Sequence, residues 1–147
     1  MQYRIDEIAK ILKADRHGSA DTVVNWLLTD SRSLCFPEET LFFAFKTQRN
    51  DGHKYIGELY RRGVRNFVVT SLPEEIGKYA NSNFLVVKSA IDALQALAAH
   101  HRQQFDIPVI AITGSNGKTT VKEWLYQILS PDFNACRSPR SYNSQAG

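Results

Sequence analysis

Val109-Ile110-Ala111-Ile112-Thr113-Gly114-Ser115-Asn116-Gly117-Lys118-Thr119-Thr120 is the stretch on which the reading of this chain turns. Five apolar or β-branched residues lead straight into a short glycine loop that ends in Lys-Thr-Thr. Asn116-Gly117 between apolar runs is also the signature of a hairpin turn. A hairpin requires a second strand, but beyond the loop Val121, Trp124, Leu125, Ile128 and Leu129 stand at i, i+3, i+4, i+7 and i+8, one stripe of a helix. Strand, glycine loop, helix is the arrangement in which backbone N–H groups and a helix N-terminus surround a phosphate chain. Each residue of Gly114, Ser115, Asn116, Gly117, Lys118, Thr119 and Thr120 is then a candidate nucleotide contact. The glycines permit close approach, Lys118 brings a charge to the outer phosphates, and the Thr119 hydroxyl is a candidate ligand for Mg²⁺. The long P-loop pattern asks for a glycine where Ile112 stands, so this is the short form, Gly-x-x-Gly-Lys-Thr-Thr.

Upstream of the loop, Val23 to Thr29, Leu41 to Phe45, Val64 to Thr70 and Phe84 to Val87 are short runs bounded by polar turn residues, as expected of buried strands. The spacing of Ile5, Ile8, Ile11 and Leu12 predicts an opening helix that ends near His17-Gly18, and Asp51 to Arg62 predicts a helix stopped by Gly63. A short helix is also expected over Pro73 to Tyr79. From Ser89, a helix with Ile91, Leu94, Leu97 and Ala98 inward runs to about Phe105, with Ser89 as N-cap. Val109 to Thr113 is expected to be a strand, with Phe133 to Arg137 as a candidate neighbour. Trp26, Phe42, Phe43, Trp124 and Tyr126 read as packing residues. The fold class is therefore α/β: a small domain over 1–87, then the start of a P-loop ATPase domain over 88–147.

With 147 residues, 43% hydrophobic and 22% charged, the chain has the composition of a globular protein. Its net charge of +3 is spread out, and only Arg61, Arg62 and Arg65 cluster, so the basic stripe with interleaved aromatics that nucleic-acid binding needs is lacking. Cys35 and Cys136 have neither metal-ligand nor redox spacing. No apolar signal core follows Met1, and no run approaches the roughly 18 apolar residues of a membrane span. The expected compartment is the cytoplasm.

The segment Ala111 to Thr120 resembles the ATP-binding signature of the Mur ligases and their folylpolyglutamate synthetase relatives. Thr29-Asp30-Ser31-Arg32, then Leu41-Phe42-Phe43-Ala44-Phe45, then Asp51-Gly52-His53 resemble the N-terminal UDP-sugar-binding domain of the Mur ligases acting late in muropeptide synthesis, a domain that folylpolyglutamate synthetases lack. The resemblance implies an ATP- and Mg²⁺-dependent amide-bond-forming ligase of peptidoglycan precursors. It points to the member that adds D-alanyl-D-alanine to UDP-N-acetylmuramoyl-tripeptide through an acyl phosphate, with the ligase adding the third residue as runner-up. Some such ligases are fused to an alanine racemase, which this sequence is similar to in flavour. The family's acidic and histidine metal ligands, modified lysine and amino-acid-binding domain would lie beyond Gly147, so the chain alone is expected to be inactive.

By the same resemblance, Lys118 is the candidate catalytic residue, and Ser31, Arg32, Lys46, Thr47, His53 and Asn143 are candidate substrate contacts. Two have plain alternatives in the residues themselves. Arg32 could pair with Asp30 on the surface, and His53 could be a surface residue behind an Asp51 N-cap. Thr47 departs from the family, which often has glycine after the stretch matching Ala44-Phe45-Lys46.

Overall fold

The computed structural model describes residues 2–48 and 50–138, which fall into two compact units divided between Gln104 and Phe105.

The first unit is built on a five-stranded sheet. Strand β1 (Tyr3–Arg4) pairs antiparallel with β3 (Val23–Val24) in a separate two-stranded ribbon. The main sheet has the order β2-β7-β6-β5-β4, from β2 (Asp15–His17), β4 (Trp26–Leu28), β5 (Thr40–Phe43), β6 (Asn66–Val69) and β7 (Asn83–Val86). Strands β4 to β7 are parallel and adjacent in sequence order, while β2 closes the β7 edge antiparallel.

Every residue of β5 and β6 is buried, which is why, after the buried polar Thr40 and Asn66, Leu41 to Phe43 and Phe67 to Val69 read as unbroken apolar runs. Strict alternation divides them between two cores. Leu41, Phe43, Val68 and Leu85 face α1 (Ile5–Leu12) and α3 (Ala90–Arg102). Phe42, Phe67, Val69 and Phe84 face the opposite way, toward Ile56 and Leu59 of α2 (Ile56–Arg61). Helices thus cover both faces, a three-layer α/β unit.

Several sequence expectations need correction. The opening helix stops at Leu12, where Lys13 takes a left-handed φ of 50°, and the chain returns as β2. The expected strand from Val23 to Thr29 is two strands in different sheets, broken at Asn25. Asp51 to Arg62 begins as a 3-10 turn (Gly52–Tyr55) before α2, and Pro73 to Tyr79 yields only the 3-10 turn Ile76–Lys78. Helix α3 is capped as expected, Ser89 Oγ accepting from Asp92 N. Its buried residues are Ala90, Ala93 and Leu97, and Ala98 faces outward. This helix, expected in the second domain, packs in the core of the first unit. Trp26 is also outside the core: it is 52% exposed and stacks on Phe36 at 5.1 Å.

In the second unit, α4 (Lys118–Leu129) forms where the helical stripe predicted it. Val109 to Thr113 does not form a strand, nor does any described residue of Phe133 to Arg137. A strand is defined by its ladder, and Val109 and Ile110 stand 65% and 61% exposed with no described strand beside them. Trp124 of α4 is likewise exposed. The segment after α4 returns along the helix through polar contacts, with Lys122 Nζ donating to Ser138 O and the Arg137 guanidinium lying over the Tyr126 ring. Among the described residues no helix is long and apolar enough to cross a membrane.

Candidate functional site

Parallel strands place their carboxyl ends together, and in open α/β sheets ligands bind outside those ends. Here β4 runs into Thr29-Asp30-Ser31-Arg32, β5 into Ala44-Phe45-Lys46-Thr47, and β6 into Thr70. The first-unit candidates Ser31, Arg32, Lys46, Thr47 and His53 therefore share one rim of the sheet.

After β4 the chain makes a 3-10 turn, Ser31–Ser33, capped by Asp30, whose carboxylate accepts from Arg32 N at 3.0 Å. The same carboxylate receives the Arg32 side chain, Nε at 2.9 Å and Nη2 at 2.6 Å. The surface pair that the sequence allowed is formed. Hydrogen bonds from the Arg32 side chain and backbone hold the Asp30 carboxyl down at about 2, and the carboxylate in turn raises the Arg32 guanidinium. The Arg32 side chain is 87% exposed. Ser31 contributes a half-buried hydroxyl, and its carbonyl accepts from Arg62 Nη1 at 3.0 Å.

The loop after β5 is closed at its base. Lys46 and Asp51 form an antiparallel bridge, Thr47 N donates to Asn50 O at 2.8 Å, and Gly52 N donates to Phe45 O at 2.7 Å. Gly52 lies against the Phe45 backbone so closely that a Cβ there would stand 2.9 Å from both Phe45 N and Phe45 O. This contact explains the glycine, which has an ordinary backbone conformation. Thr47 turns its hydroxyl inward to the loop, within reach of Asn50 N and O.

His53 is no idle surface residue: its side chain is 17% exposed and both ring nitrogens are engaged. Thr70 N donates to Nε2 at 3.0 Å, so Nε2 is the acceptor, and the ring proton of the neutral imidazole sits on Nδ1 and donates to Asp51 Oδ1 at 2.6 Å. Hydrogen bonds from His53, the backbone one first, lower the Asp51 carboxyl below its ordinary range. Sequence reasoning singled out His53 but missed both Thr70 and the packing of Gly52. Thr70 acts through a backbone amide, which no residue type announces.

Two hollows lie near these strands. One of about 80 Å³, lined by His53, Ser71 and Tyr79 among others, is far too small for a nucleotide. The larger, about 220 Å³, sits at the opposite end of β7, around His17, Ser82 and Phe84, away from the candidate rim.

In the second unit, Gly114 and Gly117 have φ of +144° and +77°, conformations that L side chains rarely adopt. Gly117 is the N-cap of α4 and supplies no side-chain oxygen to the first turn, which carries the positive end of the helix dipole. Ser115, Asn116, Thr119 and Thr120 are exposed around it. The Lys118 Nζ folds back and donates to Gly114 O at 2.5 Å. Asn143 lies outside the described residues.

No family model matches the chain. It is 37% identical over 134 residues to the UDP-N-acetylmuramoyl-tripeptide–D-alanyl-D-alanine ligase of Borreliella burgdorferi, an alignment covering 86% of this chain and 29% of that relative. Among solved structures, a UDP-N-acetylmuramoylalanyl-D-glutamyl-2,6-diaminopimelate–D-alanyl-D-alanyl ligase from Acinetobacter baumannii superposes with a TM-score of 0.79 at 30% identity, over 90% of this chain and 29% of that one. The chain belongs to the Mur ligase family. A second Mur ligase structure, MurF of Thermotoga maritima in complex with ADP, matches with a TM-score of 0.72 at 28% identity, over 84% of this chain and 27% of that one. This family member thus spans under a third of the length of the relatives it matches.

Proposed function

We propose that this chain is the N-terminal part of an ATP-dependent ligase of peptidoglycan precursors, working in the cytoplasm. In this reading the first unit, through Gln104, holds the UDP end of a UDP-N-acetylmuramoyl tripeptide, and the chain from Phe105 begins the ATP-binding part. D-alanyl-D-alanine is the acceptor. The observation that carries the reading is the glycine loop: two glycines in left-handed backbone conformations lead into a helix with no side-chain cap hydrogen bond, whose first residues are Lys118 and Thr119.

Each part of the chain then has a task. The amides of Ser115, Asn116 and Gly117 and the α4 N-terminus hold the phosphate chain of ATP. Lys118, released from Gly114 O, neutralises charge on the phosphoryl group as it passes to the substrate carboxylate, and the resulting acyl phosphate is open to the acceptor amine. ATP supplies the phosphoryl group, and Mg²⁺ the remaining charge compensation. The first-turn hydroxyl of Thr119 fits as one Mg²⁺ ligand; among the described residues no three His, Cys, Asp or Glu gather as a metal set. In the first unit, Ser31, Arg32, Lys46 and Thr47 face the UDP end. The Arg32 guanidinium, being exposed, can exchange the Asp30 carboxylate for a pyrophosphate with its fork geometry intact.

The test is calorimetric titration of the 147-residue chain with UDP. Saturable binding, weakened in R32A, is expected. Absence of any heat at millimolar UDP with the fold intact would remove this assignment of the first unit.

A further inference from the structure

The rim formed by the loops after β4, β5 and β6 owes its shape to a histidine that has no free nitrogen to offer a ligand. We infer that His53 is a positioning residue: through its neutral ring it bolts the Lys46-to-Asp51 loop to the end of β6, and so sets where Lys46 and Thr47 stand. The inference rests on the proposed UDP site for its functional meaning, and on hydrogen bonds alone for its geometry.

Three observations support it. The two ring nitrogens have opposite, fixed roles, Nε2 accepting from Thr70 N and Nδ1 donating to Asp51 Oδ1. The Thr70 hydroxyl also lies 3.2 Å from Nε2, so that nitrogen is enclosed from the strand side. Asp51 in turn pairs with Lys46 across the loop base, and Asp51 Oδ1 accepts from His53 N at 3.0 Å, so ring, turn and bridge form one unit. Thr70 and Asp51 belong to different crossover connections, one after β6 and one before α2. Without the ring, the contacts left at the loop base among the described residues are the Gly52–Phe45 hydrogen bond and the Lys46–Asp51 bridge, and the loop could tilt about them.

A residue that touches UDP and a residue that sets the loop give different signals. Ring ¹⁵N resonances of His53 should report the Nδ1–H tautomer in the free chain and keep it when UDP is added. In His53→Ala, the backbone amides of Lys46, Thr47 and Asn50 should move, and UDP affinity of the folded protein should fall by about tenfold, the scale of one well-made hydrogen bond. His53→Asn keeps a donor where Nδ1 stands and His53→Gln an acceptor where Nε2 stands, so each should restore part of the loss. Loss of the tautomer on UDP binding would make His53 a ligand contact and overturn the inference. Unmoved loop amides in a folded His53→Ala would overturn it as well. Should wild-type protein bind no UDP, the site reading fails by itself, and the amide shifts still decide the positioning role.

Discussion

Gly52→Ala tests a tightly confined backbone contact in the first unit. A Cβ at this position would stand 2.9 Å from Phe45 N, 2.9 Å from Phe45 O and 3.0 Å from Ala44 C, all backbone atoms that cannot swing aside. Ordinary contact requires roughly half an ångström more, and the turn would have to lift off the end of β5. Doing so stretches the 2.7 Å bond from Gly52 N to Phe45 O and disturbs the adjoining Lys46–Asp51 bridge. Overpacking of this kind costs about 1–3 kcal/mol. Because the backbone conformation of Gly52 suits alanine, reduced unfolded-chain entropy returns about 0.4–1 kcal/mol. The net destabilisation is about 1–2 kcal/mol, or a fall in Tm of the order of 10 °C for a unit of this size. Gly77 is the control, since a Cβ there meets nothing within 4 Å. Thermal unfolding by circular dichroism should show Gly52→Ala well below wild type and Gly77→Ala level with it or slightly above. Equal melting of Gly52→Ala and wild type, within about 2 °C, would refute the claim that this glycine is fixed by packing.

Two further outcomes are expected. Asp30 and Asp51 both have folded carboxyls below their ordinary values, so each contributes stability that is complete above about pH 4 and lost as pH falls; for Asp30 the window runs from 3.8 down to about 2. The Tm gap between wild type and Asp30→Asn should therefore be widest near neutrality and close across that window, and a gap that widens on acidification would contradict the Asp30–Arg32 pairing. Lys118→Ala should weaken ADP or pyrophosphate binding by about tenfold to a hundredfold, the range for a charge-assisted contact, and unchanged affinity by fluorescence titration would mean that the glycine loop holds no phosphate.

How much of this was legible in the sequence depends on where each residue's partners lie. Strands β5, β6 and β7 announce themselves because both faces are buried, so that Leu41, Phe42 and Phe43, or Phe67, Val68 and Val69, all had to be apolar. Strand β2 reads Asp-Arg-His and gives no such sign. It is held by pairing with β7 and by Arg16, whose Nε and Nη2 both donate to the buried Asn83 Oδ1, a polar contact 67 residues away in sequence. Val109 to Thr113 shows the converse, since its apolar residues satisfy the pattern of a buried strand without a described neighbour to complete a ladder. An apolar run states what a segment would bury, whereas a ladder depends on what stands beside it.

The same distinction governs the rim of the first unit. Residue type and resemblance suffice to propose Ser31, Arg32 and His53, because hydroxyl, guanidinium and imidazole announce their chemistry. They do not say whether that chemistry faces a ligand or the protein. Arg32 is turned to Asp30 yet exposed, so its pair can be exchanged for a phosphate without burying an orphaned charge. His53 is enclosed, and freeing either nitrogen for a ligand would leave the Thr70 amide or the Asp51 carboxylate short of a partner. Exchange is therefore cheap at Arg32 and costly at His53. Substitution should accordingly alter UDP affinity at Arg32 with the loop amides in place, and at His53 only together with them.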